Sequence, residues 1–235
     1  MSWCITNETK YINSILNLPY IKELNRNNKI MCIKIDGSRA SGLENERSDY
    51  DLTILLDQTV ENTDREFRLR YSINGRKTHF YLQGKNWFTA NYDDFISYYI
   101  FLIGGLLQHV NFNDNNIIYL NPIYEKQVQK ILKNKQIFYS QGIYEISKNK
   151  DIINDLYFNK ENIRKDLYPF FQSLKALKCP SELIPTRKQL LRYKGQRCSI
   201  EDQKEQFLFF NKALEYLENN HMLNDHTEQL KEIFK

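Results

Sequence analysis

Ile33-Lys34-Ile35-Asp36-Gly37-Ser38-Arg39-Ala40 and, across a short polar loop, Ser48-Asp49-Tyr50-Asp51-Leu52-Thr53-Ile54-Leu55-Leu56 decide how this 235-residue chain is read. Lys34 and its apolar neighbours predict a strand that stops at Gly37, where a missing Cβ allows a sharp turn and the close approach of a ligand. Ser38 offers a hydroxyl and a backbone N–H to phosphate oxygens. Ala40 to Leu43 are expected to open a short helix whose N-terminus favours negative charge. Asp49 and Asp51 are two residues apart at the head of an apolar run, so on a strand their carboxylates leave one face and Tyr50 the other. Carboxylates that close repel unless a cation sits between them. Hard oxygen ligands with room for waters and phosphates are what Mg²⁺ prefers.

Outward from this segment, Asn7 to Leu24 predicts an amphipathic helix broken at Pro19, followed by strands near Met31 to Asp36 and Asp51 to Leu56. Phe67 to Ile73 and Lys77 to Gln83 flank Asn74-Gly75, a dipeptide that favours a two-residue hairpin turn. A helix over Asp93 to Gln108 and a strand over Ile117 to Leu120 complete this part, and Asn121-Pro122 marks a boundary. Residues 1–120 are therefore expected to form one domain and residues 121–235 a helical one. Tyr124 to Lys133, Ile143 to Leu156, Asn162 to Ala176, Thr186 to Tyr193, Glu201 to Leu217 and Thr227 to Phe234 read as its helices. Leu167, Phe170, Phe171, Leu174 and Leu177 recur at helical spacing as a core stripe. The expected fold class is α/β in the broad α+β sense: a mixed sheet with helices, followed by a helical C-terminal bundle.

The Gly-Ser turn, the ten residues between Ser38 and Asp49, and the Asp-Tyr-Asp triplet among apolar positions resemble the signature of the nucleotidyltransferase superfamily typified by DNA polymerase beta. Gly-Ser-Arg-Ala-x-Gly followed by Ser-Asp-x-Asp, matched from Gly37 to Asp51, is most similar to nucleotidyltransferases of bacteria and their phages. The resemblance implies that Gly37 and Ser38 hold a nucleoside triphosphate, with Arg39 and Ser48 beside it, and that Asp49 and Asp51 ligate Mg²⁺, with Mn²⁺ as a substitute. An NMP would pass to a hydroxyl acceptor, an RNA end, a small molecule or a protein, with release of pyrophosphate. Such relatives usually supply a third carboxylate from a later strand. Lys77-Thr78-His79-Phe80-Tyr81-Leu82 contains none, and His79 stands where it would be sought, since a neutral imidazole can ligate a metal or take a proton near pH 7. Glu44, Glu46, Asp57 and Asp93-Asp94 read more simply as loop residues or helix caps. Two functions therefore stay open: an active transferase, with Asp49, Asp51 and His79 as its catalytic groups, or a degenerate one that binds a nucleotide or partner without chemistry.

A hydrophobic content of 41% allows a real core, and a net charge of +4 is too mild to imply a strong nucleic-acid field. Arg187, Lys188, Arg192, Lys194 and Arg197 around Tyr193 form the one patch where a phosphate-rich strand could be gripped and a base stacked. Phe95 to Val110 is shorter than the ~20 residues that span a bilayer, so no membrane partner is expected. Cys4, Cys32, Cys179 and Cys198 form no C-x-x-C pair, and with no secretory pattern at the start they point to the reducing cytoplasm. Abundant Asn, Ile, Lys and Tyr are what AT-rich coding produces, as in many phages.

Overall fold

The computed structural model describes residues 5–40, 42–44, 48–57, 68–73, 75–84, 116–151, 153, 167–194 and 199–234. The expected helix Asp93–Gln108, the acids Glu46, Asp93 and Asp94, the turn residue Asn74, and Cys4, Arg197 and Cys198 lie outside them. The chain forms two compact units, the sheet and its helices through Lys133 and a set of helices from Asn134 onward.

In the sheet unit, helix α1 (Ile5–Leu16) and helix α2 (Pro19–Arg26) are separated at the expected break, with Pro19 in the first turn of α2. Proline suits that position because its missing N–H would find no helical partner there. Strand β1 (Ile30–Asp36), a single helical turn α3 (Gly37–Ala40), strands β2 (Tyr50–Leu56), β3 (Arg68–Ile73), β4 (Arg76–Gly84) and β5 (Ile117–Leu120), and helix α4 (Glu125–Lys133) follow. The strands form one mixed sheet in the order β3-β4-β2-β1-β5, in which β2 runs antiparallel to β1 and parallel to β4. The β3–β4 hairpin closes with Ile73 opposite Arg76, and Gly75 takes φ +75°, as its turn requires.

Period-two alternation gives the sheet two unlike faces. Ile33, Ile35, Tyr50, Leu52, Ile54, Phe80 and Leu82 share an apolar core with Tyr11 and Ile15 of α1 and Ile21 and Leu24 of α2. On that side the buried hydroxyls of Tyr11 and Thr78 share a 2.5 Å hydrogen bond. The opposite positions are Lys34, Asp36, Asp51, Thr53, His79 and Tyr81, which the strand register places in two adjacent rows.

The second unit contains α5 (Lys135–Lys148), α6 (Tyr168–Ala176), α7 (Arg187–Lys194), α8 (Ile200–Asn219) and α9 (Thr227–Phe234). Helix α5 begins well before the expected Ile143. Phe138, Tyr139 and Gly142, all ahead of that position, are buried within the helix. Leu167, Phe170, Phe171 and Leu174 are fully buried, and Phe170 meets Phe210 of α8 edge to face with ring centroids 4.9 Å apart. His226 fastens the start of α9 to α5 through a 3.0 Å bond from its ring to Ser140, while Gln141 accepts its backbone N–H.

Helix α8 is started by a capping box in which Ser199 accepts from the Asp202 N–H and Asp202 accepts from the Ser199 N–H. Ser199→Ala should therefore cost about 1 kcal/mol of stability, seen as a lower urea midpoint, whereas Ser199→Asn should cost little. Equal midpoints for the alanine variant and the wild type would show that the cap is energetically idle. Cys32 and Cys179 are free and buried. Among the described residues, no helix is long and apolar enough to cross a membrane.

Candidate functional site

Asp51 is the centre of the polar face. Its β1 partner in register is Asp36 and its β4 partner is His79, so three chemically active side chains lie in one row across three adjacent strands. His79 Nδ1 is 3.2 Å from Asp51 Oδ1 and 3.9 Å from Asp49 Oδ2. The Tyr81 hydroxyl donates to Asp51 Oδ1 at 3.4 Å, and Lys77 Nζ stands 3.4 Å from Asp49 Oδ2. His79 is buried, while the Asp49 and Asp51 side chains keep 31% and 24% of their exposure, enough to admit a ligand. Lys77 and Tyr81 join the site by the same alternation that places His79 in it. Their signal was present in the sequence as residues two positions either side of His79.

Gly37 is fixed by two independent constraints. Its φ of +64° belongs to the left-handed region that L side chains avoid. A Cβ built on it would overlap Asp51 Oδ2 and lie 3.1 Å from both Cβ and Cγ of the same residue. The turn is thus packed directly against the Asp51 carboxylate, at the glycine where the sequence predicts the close approach of a ligand. The expected helix from Ala40 to Leu43 is not found. The helical turn begins at Gly37 and ends at Ala40, because Gly42 turns the chain at φ +68° and the Leu43 N–H returns to the Ser38 carbonyl at 2.9 Å.

Arg39 is committed within the protein. Its guanidinium donates to the Ser48 carbonyl at 2.8 Å and the Asp49 carbonyl at 3.3 Å, and stacks 3.9 Å above the Tyr50 ring. As placed, it ties the turn to the strand that carries the carboxylates. Ser48 enters the site through that carbonyl, and Ser38 is half-buried in α3.

Behind Asp51 lies a pair that sequence reasoning did not single out. Lys34 and Asp36 are 1% and 2% exposed, with Lys34 Nζ 2.5 Å from Asp36 Oδ1 and the Thr53 hydroxyl donating to Asp36 Oδ2. Burial pushes the Asp36 carboxyl above its ordinary range. Lys34 and the hydrogen bonds from Lys34 and Thr53 oppose the rise, and the charge of Asp51 adds to it. On the same strand, burial pushes the Cys32 thiol up to about 12, which keeps it protonated and a poor nucleophile.

The donor chemistry fits Mg²⁺, which binds through one or two carboxylates and lets waters and substrate phosphates fill its octahedron. Among the described residues, no three His, Cys, Asp or Glu side chains form a ready ligand cluster.

Glu44 is exposed, and Asp57 accepts at 2.8 Å from the Tyr124 hydroxyl. In the helical unit the basic patch is altered by packing. Tyr193 is 2% exposed and cannot stack on a base, and Arg192 is held by Glu205 at 2.6 Å and Asp202 at 3.4 Å. Arg187 and Lys188 are exposed and Lys194 closes α7, and the buried Tyr193 gives these cations no stacking platform. Comparison of the sequence with models of known protein families and with curated proteins gives no match.

Proposed function

We propose that the chain is a metal-dependent nucleotidyltransferase that moves an NMP from an NTP to a hydroxyl acceptor. The observation that carries this reading is the convergence of the Gly37-Ser38 turn, Asp49, Asp51 and His79 at the open end of one sheet face. That is the chemistry implied by the superfamily resemblance of residues Gly37 to Asp51. In the reaction the acceptor oxygen bonds to the α-phosphorus, the bridging bond to the β-phosphate breaks, and pyrophosphate carries away the electron pair. The Ser38 hydroxyl and the turn backbone orient the triphosphate, and Asp49 and Asp51 hold Mg²⁺ or Mn²⁺. The bound ion supplies neutralisation of phosphate charge. The Asp51–His79 pair takes the acceptor proton. Catalysis of this kind is mainly positioning and electrostatics.

One observation favours a second reading. His79 occupies the β4 position beside Asp51 where relatives place a carboxylate, as a degenerate nucleotide-binding module would also show. Incubation with each of the four NTPs, Mg²⁺ or Mn²⁺ and cell extract, followed by mass spectrometry, separates the two. An acceptor gaining an NMP mass with stoichiometric pyrophosphate, lost in Asp49→Ala, establishes the transferase. Nucleotide binding without turnover across all four NTPs establishes the module.

The two carboxylates also make His79 informative. His79→Ala removes a hydrogen bond to a charged group, worth ~1.5–3 kcal/mol, and should lower turnover about tenfold or more by loosening Asp51. His79→Asp adds a carboxylate beside Asp51, so it should melt lower than wild type without metal and recover on adding Mg²⁺. A melting curve of His79→Asp that ignores Mg²⁺ would place the cation elsewhere.

A further inference from the structure

The two oxygens of Asp51 have different neighbours. Oδ2 lies against the Gly37 turn, and Oδ1 is met by His79 and Tyr81 of β4. An NTP seated with its triphosphate on the turn has its leaving group on the β1 side of Asp51. Attacking and leaving oxygens lie roughly in line across the transferred phosphorus, so the acceptor comes in over β4. Beyond β4 lies β3, the outer strand of the sheet order. Its register places Arg70 opposite His79, Arg68 opposite Tyr81 and Ser72 opposite Lys77. Directly opposed residues of an antiparallel pair belong to one face, so Arg68 and Arg70 extend the polar face outward, while Tyr71 between them and Ser72 packs on the apolar core. Lys77 is 68% exposed, with Nζ 3.4 Å from Asp49 Oδ2. Three cationic residues thus occupy the acceptor's side of the carboxylates.

We propose that the acceptor is the hydroxyl end of a nucleic-acid strand, and that Arg68, Arg70 and Lys77 receive the strand phosphates next to that hydroxyl. This rests on the transferase reading above and names its second substrate. A neutral small molecule or a protein hydroxyl gives three neighbouring cations nothing to neutralise, whereas each strand phosphate gripped by Arg or Lys releases condensed counterions. Arginine also takes a phosphate through two parallel N–H donors. A local strip of this kind suits a chain whose net charge of +4 creates no extended basic field. It also places the cations beside the reacting groups, which the basic residues of α7 are not shown to be.

The test is binding of short fluorescein-labelled single strands, ribo and deoxyribo, to the full chain, read by fluorescence anisotropy across a salt series. Calorimetry with a non-hydrolysable NTP analogue and Mg²⁺ runs beside it. Each cation lost lowers the slope of log affinity against log salt by about 0.7 for a single strand, so Arg68→Gln/Arg70→Gln should lose about 1.4, with roughly 20-fold in affinity at ~0.1 M salt. Its NTP-analogue affinity should be unchanged, because the triphosphate lies across Asp51, and Ser38→Ala should show the reverse pattern. Binding of either sugar supports the proposal, and the tighter one names the strand. Arg187→Gln/Lys188→Gln, at exposed positions of α7, should leave the slope alone; an equal drop there means diffuse attraction and overturns the proposal. Unchanged strand affinity and slope in Arg68→Gln/Arg70→Gln, with NTP-analogue binding intact and weakened by Ser38→Ala, overturns it and leaves the transferase reading standing. A parallel loss of NTP-analogue affinity also overturns it, since the arginines then hold the triphosphate. A wild type that binds no NTP analogue overturns both readings. If the double variant does not fold, Lys77→Gln decides at an exposed position: a slope lower by about 0.7 supports the proposal and an unchanged slope overturns it.

Discussion

Gly37→Ala is expected to lower the proposed nucleotidyl transfer about a hundredfold even though it adds a single methyl group. A left-handed backbone costs an L residue ~1–2 kcal/mol, which should appear as a lower urea midpoint. The larger effect is local, because the new Cβ occupies the space of Asp51 Oδ2 and crowds Cβ and Cγ of the same side chain at 3.1 Å. Asp51 must rotate or β2 must shift. A displacement of about 1 Å in a positioned group costs on the order of 10²-fold in rate. Turnover and denaturation should therefore separate: a modest loss of stability with a loss of activity far beyond it. Wild-type turnover in Gly37→Ala would mean that the turn relaxes freely and that the Asp51 position is not set by it.

Asp51→Asn should have the opposite stability signature. The side chain keeps its shape and can still accept from His79 and Tyr81, whose contacts are 3.2 Å and 3.4 Å in the native protein. Removing a negative charge next to Asp36 and Asp49 relieves repulsion, so the metal-free melting temperature should be unchanged or higher. Transfer should fall on the order of 10²–10³-fold, the scale for deleting one preorganised electrostatic contact to a transition state. Calorimetry would register the loss of Mn²⁺ binding in the same variant. Full metal-dependent activity in Asp51→Asn would end the two-aspartate mechanism.

Local signals made much of this protein legible. Pro19 ends one helix and opens the next, Gly75 serves a hairpin turn, and alternation places His79 and Tyr81 on one side of β4. These are decided within a few residues, by sterics and period. Asp36 was not legible as a neighbour of Asp51, because that depends on how β1 registers against β2, and pairing register is settled by the whole apolar face. Lys34 gave no sign of full burial, since lysine is ordinarily outside. Arg39 reads as a phosphate ligand, and its bonds to carbonyls nine and ten residues ahead were not legible, since they depend on how the turn folds back on β2. Tyr193 sits among cations in sequence, yet its ring is buried in the helical unit. Helical period alone misplaced the start of α5, whose first turns carry the buried Phe138 and Tyr139 ahead of the expected Ile143.

The outer strand β5 has a bearing on how the chain is made. Cys32 pairs with Leu120 and Ile33 with Tyr119, a separation of about 90 residues, so β1 cannot acquire its second neighbour until that much more chain has been synthesised. At ~5–20 residues per second, the β1 edge waits several seconds on the ribosome with its backbone donors and acceptors unpaired. The late arrival of β5 makes closure of this sheet a long-range event, whereas helices such as α8 can form as soon as they emerge. Slow translation upstream of Ile117 would lengthen the window in which another nascent chain could add to that edge.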